Sequence, residues 1–522
     1  MNVNIPMIDE KKRNEILLLI LCLFIGFTLR FYAFDQKSLW IDEIYTYEDS
    51  RDDFNHQLKF YAENPTFLHP PLFYILTHLF YPFPRPERDL RIIPLIFGIL
   101  SIPMVYFLSR LYSPHIALPC TLSLTFMAYH ISLSQEGRSY SLLLFLGMAG
   151  LYFFTKHLIT LKKGYLIPAA LLFAISFYTS YSSILFIAFS QALWFYQTRK
   201  DGKPSRLSSF LTLNGLLLLL CLPWIIFLSI DFKGQAFMDP LHTESPGSFG
   251  YILYGIFHDW VPHLPLIIIS VLLLILFPLF SNTRKNAIIL LIIFILPIAG
   301  LYVFCTLFDI THFVTSRYFI NLLPLFLISL YLSLDAVEMR FDQLKKFIRL
   351  KYLFTILFIA SNLVILPLYY RSEKQDFRGL TTYLKGHLRE GDKLFVGNVF
   401  YNVGLLHYFG IYPTTRHHII SFRKISEEEK EFVVPLTYRN KTFSIFNSEH
   451  CCSQYVTDGS RLWIIVSKST AKSFKNGSPA VLKGYFDGSF LNFNRFPFDA
   501  SLCLFLWDPK SPQEKGMVMS IE

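Results

Sequence analysis

The sequence predicts a polytopic α-helical membrane protein of about eleven transmembrane helices with a polar C-terminal α/β domain. Three observations predict it. Residues of the AVILMFWYC set make up 53% of the 522 residues and charged residues only 16%, against about 25% charged in soluble domains; mean hydropathy is +0.40. Apolar runs near the length of about 20 residues needed to cross a bilayer recur as far as residue 370. Basic residues alternate from loop to loop, as the positive-inside rule requires. This composition excludes a disordered chain, a disulfide scaffold, a coiled coil and a soluble nucleic-acid binder. The net charge of +10 is read as setting topology, and no nucleic-acid partner is expected.

The N-terminus places Lys11, Lys12 and Arg13 before an apolar run from Ile16 to Phe34. That run is longer than a signal peptide's core and lacks a small-residue cleavage site, so it reads as an uncleaved first span with its basic end in the cytoplasm. Spans are predicted near 16–34, 91–112, 115–134, 139–156, 165–180, 182–198, 207–230, 262–281, 286–308, 317–334 and 350–370. Cytoplasmic loops then hold Arg110; Lys156, Lys162 and Lys163; Arg199, Lys200, Lys203 and Arg206; Arg284 and Lys285; and Arg340, Lys345, Lys346, Arg349 and Lys351. The short outside loops hold Arg138, Lys233 and Arg317. Fusing the runs on either side of Thr179–Ser182 would invert everything downstream, and the charge pattern opposes it.

Residues 1–370 form the predicted transmembrane domain, with a long first outside loop at 35–90 and a further loop, 231–261, long enough to hold structure. Residues 371–522 form the C-terminal domain, and an odd span number puts it outside with the first loop. Alternating stretches at Lys393–Val396, Leu462–Val466 and Leu502–Trp507 read as strands, and Phe377 to Leu388 reads as a helix. Cys22, Cys120, Cys221 and Cys305 lie in apolar runs as core residues. An outside location is compatible with a disulfide from Cys503 to Cys451 or Cys452.

Few residues here can do chemistry. Asp42 and Glu43 follow Trp40 just past the first span. Adjacent carboxylates on a helix point different ways, so one of the two is a candidate general base in an outward-facing cavity. His69 precedes Pro70 and Pro71 at a rigid corner before an apolar helix; an imidazole there suits a metal or, protonated, a phosphate. Gln135-Glu136-Gly137-Arg138-Ser139-Tyr140 fills the turn between spans three and four, where Gln135 and Arg138 would share a face if the turn were helical. Arg317-Tyr318 opens span ten. All gather at one membrane face: the cations suit an anion, the carboxylates a proton or a metal.

These residues carry a family resemblance. Trp40-Ile41-Asp42-Glu43, His69-Pro70-Pro71-Leu72, Arg91 with Pro94 and Gly98, Ser134 through Tyr140, and Arg317-Tyr318 with Pro324 occur in that order over residues 16–335. In this the chain resembles the GT-C fold membrane glycosyltransferases, within them the protein O-mannosyltransferase and aminoarabinose transferase superfamily and its bacterial Rgt-like branch. Gly137 departs from the Ala many members carry. Asp376-Phe377-Arg378-Gly379 and Gly391-Asp392 extend the resemblance loosely into the C-terminal part.

The resemblance implies an integral enzyme of the bacterial plasma or inner membrane. It would transfer a sugar from a polyprenyl-phosphate-linked donor to an extracytoplasmic lipid, glycan or protein acceptor and contact membrane lipids throughout. Asp42 would be the catalytic base of one inverting displacement. Arg138, Arg317 and His69 would bind the donor phosphate, and Glu43, Gln135, Tyr140 and Tyr318 would line the site. A divalent cation, where used, would draw on Glu43, Glu136 and His69. The competing class is a polytopic transporter or flippase. It predicts ionisable groups near the bilayer midplane and an internal repeat, whereas here the charges lie at span ends and no repeat is visible.

Overall fold

The computed structural model describes residues 10–63, 69–195, 206–231, 248–281, 284–307, 315–341, 349–411, 433–446, 459–474, 480–488 and 501–510. Cys451 and Cys452, and the loop cations Arg199, Lys200, Lys203, Lys233, Lys345 and Lys346, lie outside these.

Each of the eleven apolar runs is helical over most of its described residues, but not all are simple spans. Among the described residues seven helices are long and apolar enough to cross a membrane: Arg13–Phe31, Pro86–Tyr112, Tyr140–Thr160, Leu207–Ile230, Arg284–Leu307, Ser316–Arg340 and Leu350–Arg371. Two more are bent pairs, Pro114–Phe126 with Ala128–Ser134 at 60° and Phe249–Trp260 with Leu264–Phe280 at 112°. The remaining two, Lys163–Thr179 and Ser183–Phe195, are shorter. Ser180 takes an extended backbone between them, so those two runs are separate helices. The outward faces are apolar: Leu17, Phe24, Leu219, Ile230, Ile356 and Val364 are large exposed hydrophobics on the spans. The chain is an integral, multi-pass membrane protein.

The two bends have different causes. Pro262 follows Val261 at the sharper one, and a proline supplies no N–H to carry a helix through. The break at Met127 contains no proline. Here the fully buried Arg30 of the first span donates to the Leu124 and Thr125 carbonyls at 2.9 and 3.1 Å and lies 2.7 Å from His130 Nδ1. Asn362 of the last span accepts the Ala128 N–H at 2.8 Å. A helix can be interrupted inside a bilayer only where its freed backbone groups find such partners.

Between the spans Trp260, Phe294 and Phe326 pack against one another in a core that also holds Tyr331 and Phe354. The first loop is itself helical, with Ile41–Arg51, Phe54–Glu63 and Leu72–His78; the last begins just after the Pro70-Pro71 corner.

Beyond the last span Asp376 caps the helix Phe377–His387, its Oδ1 accepting the Gly379 N–H at 2.7 Å. A six-stranded sheet follows: β1 (Lys393–Val396), β2 (Val433–Tyr438), β3 (Lys441–Phe446), β4 (Leu462–Ser467), β5 (Val481–Phe486) and β6 (Leu502–Trp507). The order is β2-β3-β1-β4-β6-β5, with β1 parallel to β3 and β4 and the other pairs antiparallel. The sequence reading found β1, β4 and β6 and missed the β2–β3 hairpin, whose turn residues Arg439 and Asn440 both have positive φ, and β5, which carries an irregularity between Leu482 and Gly484. The sheet region is not a free appendage. Leu39, Ile44, Tyr47, Phe83 and Leu90 of the first loop share one hydrophobic core with Phe377, Leu380, Trp463, Leu502 and Leu504. The first loop and the described residues of 371–510 therefore lie on the same face of the helical bundle.

Candidate active site

Asp42 and Glu43 occupy the first turn of Ile41–Arg51 and diverge. Glu43 turns inward, 1% exposed. Its carboxylate meets Arg91 in a fork, Nε to Oε1 at 2.7 Å and Nη2 to Oε2 at 2.7 Å. It also accepts the Gly137 N–H at 2.7 Å, and it reaches back to the Trp40 N–H at 3.4 Å, as a glutamate three residues into a helix can. Arg91 further donates to the carbonyls of Phe34, Lys37 and Ser38. This knot fixes the loop to the second and fourth spans. Gly137 suits it: a Cβ there would stand 3.1 Å from Leu90 Cβ and 3.3 Å from Glu43 Oε1.

Asp42 turns the other way and stays 23% exposed. Its Oδ2 lies 3.2 Å from Arg317 Nη1, and its backbone carbonyl accepts from Arg138 Nη1 at 3.2 Å. Arg138 also bonds Thr46 Oγ1 and the phenols of Tyr74 and Tyr140. The Arg317 guanidinium lies 5.6, 5.7 and 5.9 Å from the ring centroids of Trp40, Tyr318 and Tyr140, within cation–π range. The predicted group Asp42, Arg138, Arg317, Tyr140 and Tyr318 is thus brought together in space from the first loop, the turn between the third and fourth predicted spans, and the tenth predicted span.

Other expected residues stand elsewhere. The turn at Gln135–Arg138 is not helical, so Gln135 and Arg138 share no face. Gln135 donates to the Arg30 and Tyr32 carbonyls at 2.9 and 2.7 Å and accepts from Tyr369 at 2.9 Å: a tie between the first and last spans, not a lining group. His69 is exposed, its ring 6.1 Å from that of Tyr74; it borders the site through that tyrosine.

A divalent cation does not fit this donor set. Both Glu43 oxygens are engaged by Arg91 and Gly137, and Glu136 Oε2 pairs with Lys374 Nζ at 2.9 Å. Among the described residues no group of three or more His, Cys, Asp or Glu is placed to hold a metal.

Lys374 was not expected. It follows the last span, pairs with Glu136 and lies 3.4 Å from the Trp40 ring centroid. Burial pushes its amine below the usual lysine range, with Glu136 opposing. In sequence it sits within Arg371-Ser372-Glu373-Lys374-Gln375-Asp376, which resembles ordinary juxtamembrane charge. Arg91 carried a weak sequence signal, an arginine opening an apolar run.

The architecture matches solved proteins. It is similar to ArnT from Cupriavidus metallidurans in the apo state, with a TM-score of 0.57 at 13% identity over 97% of this chain and 100% of that one. The chain has the GT-C fold. ArnT bound to undecaprenyl phosphate gives a TM-score of 0.52 at 14% identity, covering 95% and 98%. The archaeal oligosaccharyltransferase AglB from Archaeoglobus fulgidus, in complex with an inhibitory peptide and a dolichol-phosphate, gives 0.43 at 11%, covering 76% and 63%. No family model and no curated protein matches the sequence. Among GT-C proteins the resemblance therefore rests on shape, and the roles of individual residues rest on the geometry above.

Proposed function

We propose that this chain is an integral membrane glycosyltransferase that moves a sugar from a polyprenyl-phosphate donor to an acceptor hydroxyl at the extracytoplasmic face. One observation carries the reading: at one end of a GT-C bundle the partly exposed Asp42 has its carboxylate 3.2 Å from Arg317, while Arg138 donates to its backbone carbonyl. The ArnT comparison adds that a solved protein of this shape binds undecaprenyl phosphate.

The acceptor hydroxyl attacks the anomeric carbon, the bond from that carbon to the phosphate oxygen breaks, and the hydroxyl proton passes to Asp42. One displacement inverts the centre. The leaving phosphate gains a negative charge, so it needs cations more than an acid. Arg317 and Arg138 supply them, with His69 at the rim and Tyr140 and Tyr318 as walls. Glu43 holds the loop in place through Arg91. Residues 1–370 form the catalytic transmembrane domain and residues 371–522 an extracytoplasmic C-terminal domain, whose described residues share a core with the first loop.

The test supplies purified protein with a panel of polyprenyl-phosphate sugars and simple acceptors, and follows release of the polyprenyl phosphate and the product's anomeric configuration. Inverted product from one donor class supports the reading. Retained configuration would remove Asp42 as the base of a single displacement, and no turnover or donor hydrolysis across the panel would remove the enzyme reading.

A further inference from the structure

Immediately after the last span, the chain crosses the residues that lead into Asp42. Glu373 Oε2 accepts the Ser38 N–H at 2.9 Å, and Gln375 Oε1 accepts the Ile41 N–H at 3.0 Å. The Glu373 N–H donates to Asp487 Oδ2 at 3.2 Å and the Asp376 N–H to the Asp487 carbonyl at 3.1 Å. The segment is thus fastened on one side to the first loop and on the other to the end of β5. Lys374 lies between these anchors and points into the site.

Its surroundings are unusual for a lysine that merely neutralises a neighbour. The Trp40 indole has two cations in range, Lys374 Nζ at 3.4 Å and the Arg317 guanidinium at 5.6 Å. Bringing like charges together beside one half-buried ring is costly. The charged groups acting on the Lys374 ammonium are Glu136, Arg317 and Asp42. A sugar phosphodiester brings one negative charge, which Lys374 and Arg317, flanking the same indole, would offset together. Glu136 is buried and its Oε1 has no hydrogen-bond partner, so the pair with Lys374 runs through the other carboxylate oxygen.

We infer that Lys374, carried in by the segment joining the last span to the sheet region, is a third phosphate-binding cation of the donor site. This rests on the donor class proposed above. It makes the chain beyond the last span part of the site: the residue contributing charge comes from there, not from the bundle.

The test uses the full chain in nanodiscs and measures binding of a polyprenyl monophosphate and of the corresponding polyprenol, which shares the tail but lacks the phosphate. Wild-type protein should prefer the phosphate. Lys374→Met should lose about tenfold of that preference, and Lys374→Arg should keep most of it. Glu136→Gln, which removes the ion pair but leaves the lysine, should bind the phosphate at least as tightly as wild type. Should Lys374→Met fail to fold, Lys374→Gln keeps a hydrogen bond to Glu136 without the charge and should show the same loss. A wild-type preference in the uncharged variants would overturn the inference. So would an equal loss in Glu136→Gln and Lys374→Met, since Lys374 would then serve Glu136 alone. If wild-type protein shows no preference for phosphate over alcohol, the donor reading itself fails and takes this one with it.

Discussion

Replacing Glu43 by Gln should damage the fold, while replacing its neighbour Asp42 by Asn should damage turnover. The Glu43–Arg91 side chains are 2% and 3% exposed, and the carboxylate takes two arginine bonds and one backbone bond, each at 2.7 Å. Removing one partner of a buried pair strands the other charge and costs about 3–5 kcal/mol. Glutamine retains one acceptor oxygen, so the lower end applies. Against a total stability of about 5–15 kcal/mol, that loss lowers both the melting temperature and the folded yield. Arg91→Lys should fail similarly, since an ammonium cannot hold both carboxylate oxygens and the three carbonyls that Arg91 serves. Asp42 differs in kind. It is 23% exposed and its arginine contact is 3.2 Å, so Asp42→Asn should cost less than about 1 kcal/mol. Turnover per folded molecule should fall ~10²–10⁴-fold with the loss of a general base. Thermal melting in detergent and single-turnover release of the lipid phosphate, measured on the same preparations, separate the two effects. A Glu43→Gln protein that melts like wild type would refute the clamp; near-normal turnover in Asp42→Asn would refute the base.

Gly98→Ala should be destabilised by about 1–3 kcal/mol from overpacking, because its Cβ would fall 2.2 Å from Ser134 Oγ and 2.6 Å from Ser134 Cβ; adding Ser134→Gly should restore the melting temperature, and no restoration would refute the contact. Lys37 is held at about 7 by burial, with Glu373 and Glu43 raising it and Arg91 and Lys374 lowering it further. The unfolded amine titrates near the usual 10.5, so between about pH 7 and 10 the unfolded chain binds the extra proton and stability rises with pH. Lys37→Met should therefore stabilise the protein most near pH 6 and progressively less toward pH 10, in melting curves across that range. Single cysteines at the exposed positions 55 and 386 should both react with an impermeant maleimide added outside intact cells; labelling of one alone would break the shared-face topology.

The spans were legible because a bilayer demands long apolar runs, and the first and last strands were legible because each is a short apolar run in an otherwise polar stretch. The bend at Met127 was not, since its cause is an arginine on another helix that serves the carbonyls of Leu124 and Thr125. The β2–β3 hairpin escaped because its Thr, Ser and Lys residues read as polar loop, and its turn rests on left-handed Arg439 and Asn440. Asp42, Arg138 and Arg317 could be proposed from one-sided charge placement. Which of two adjacent carboxylates stays exposed depends on Arg91, 48 residues away, and no local pattern encodes that choice. Lys374 was hidden for the same reason: its partners lie in the first loop and the turn before Tyr140.

The core shared by the first loop and the sheet region also sets a schedule. The N–H groups of Ser38 and Ile41 meet their acceptors 335 and 334 residues later in the chain. At about 5–20 residues per second of synthesis, that separation is roughly 15–70 s. During that interval the loop bearing Asp42 lacks the apolar surface of Phe377, Leu380 and Trp463 against which Leu39 and Ile44 pack. A nascent or truncated chain therefore presents its carboxylate on an unfinished scaffold. On the proposed function, a partly made chain would have no assembled site with which to discharge lipid-linked sugar unproductively into water.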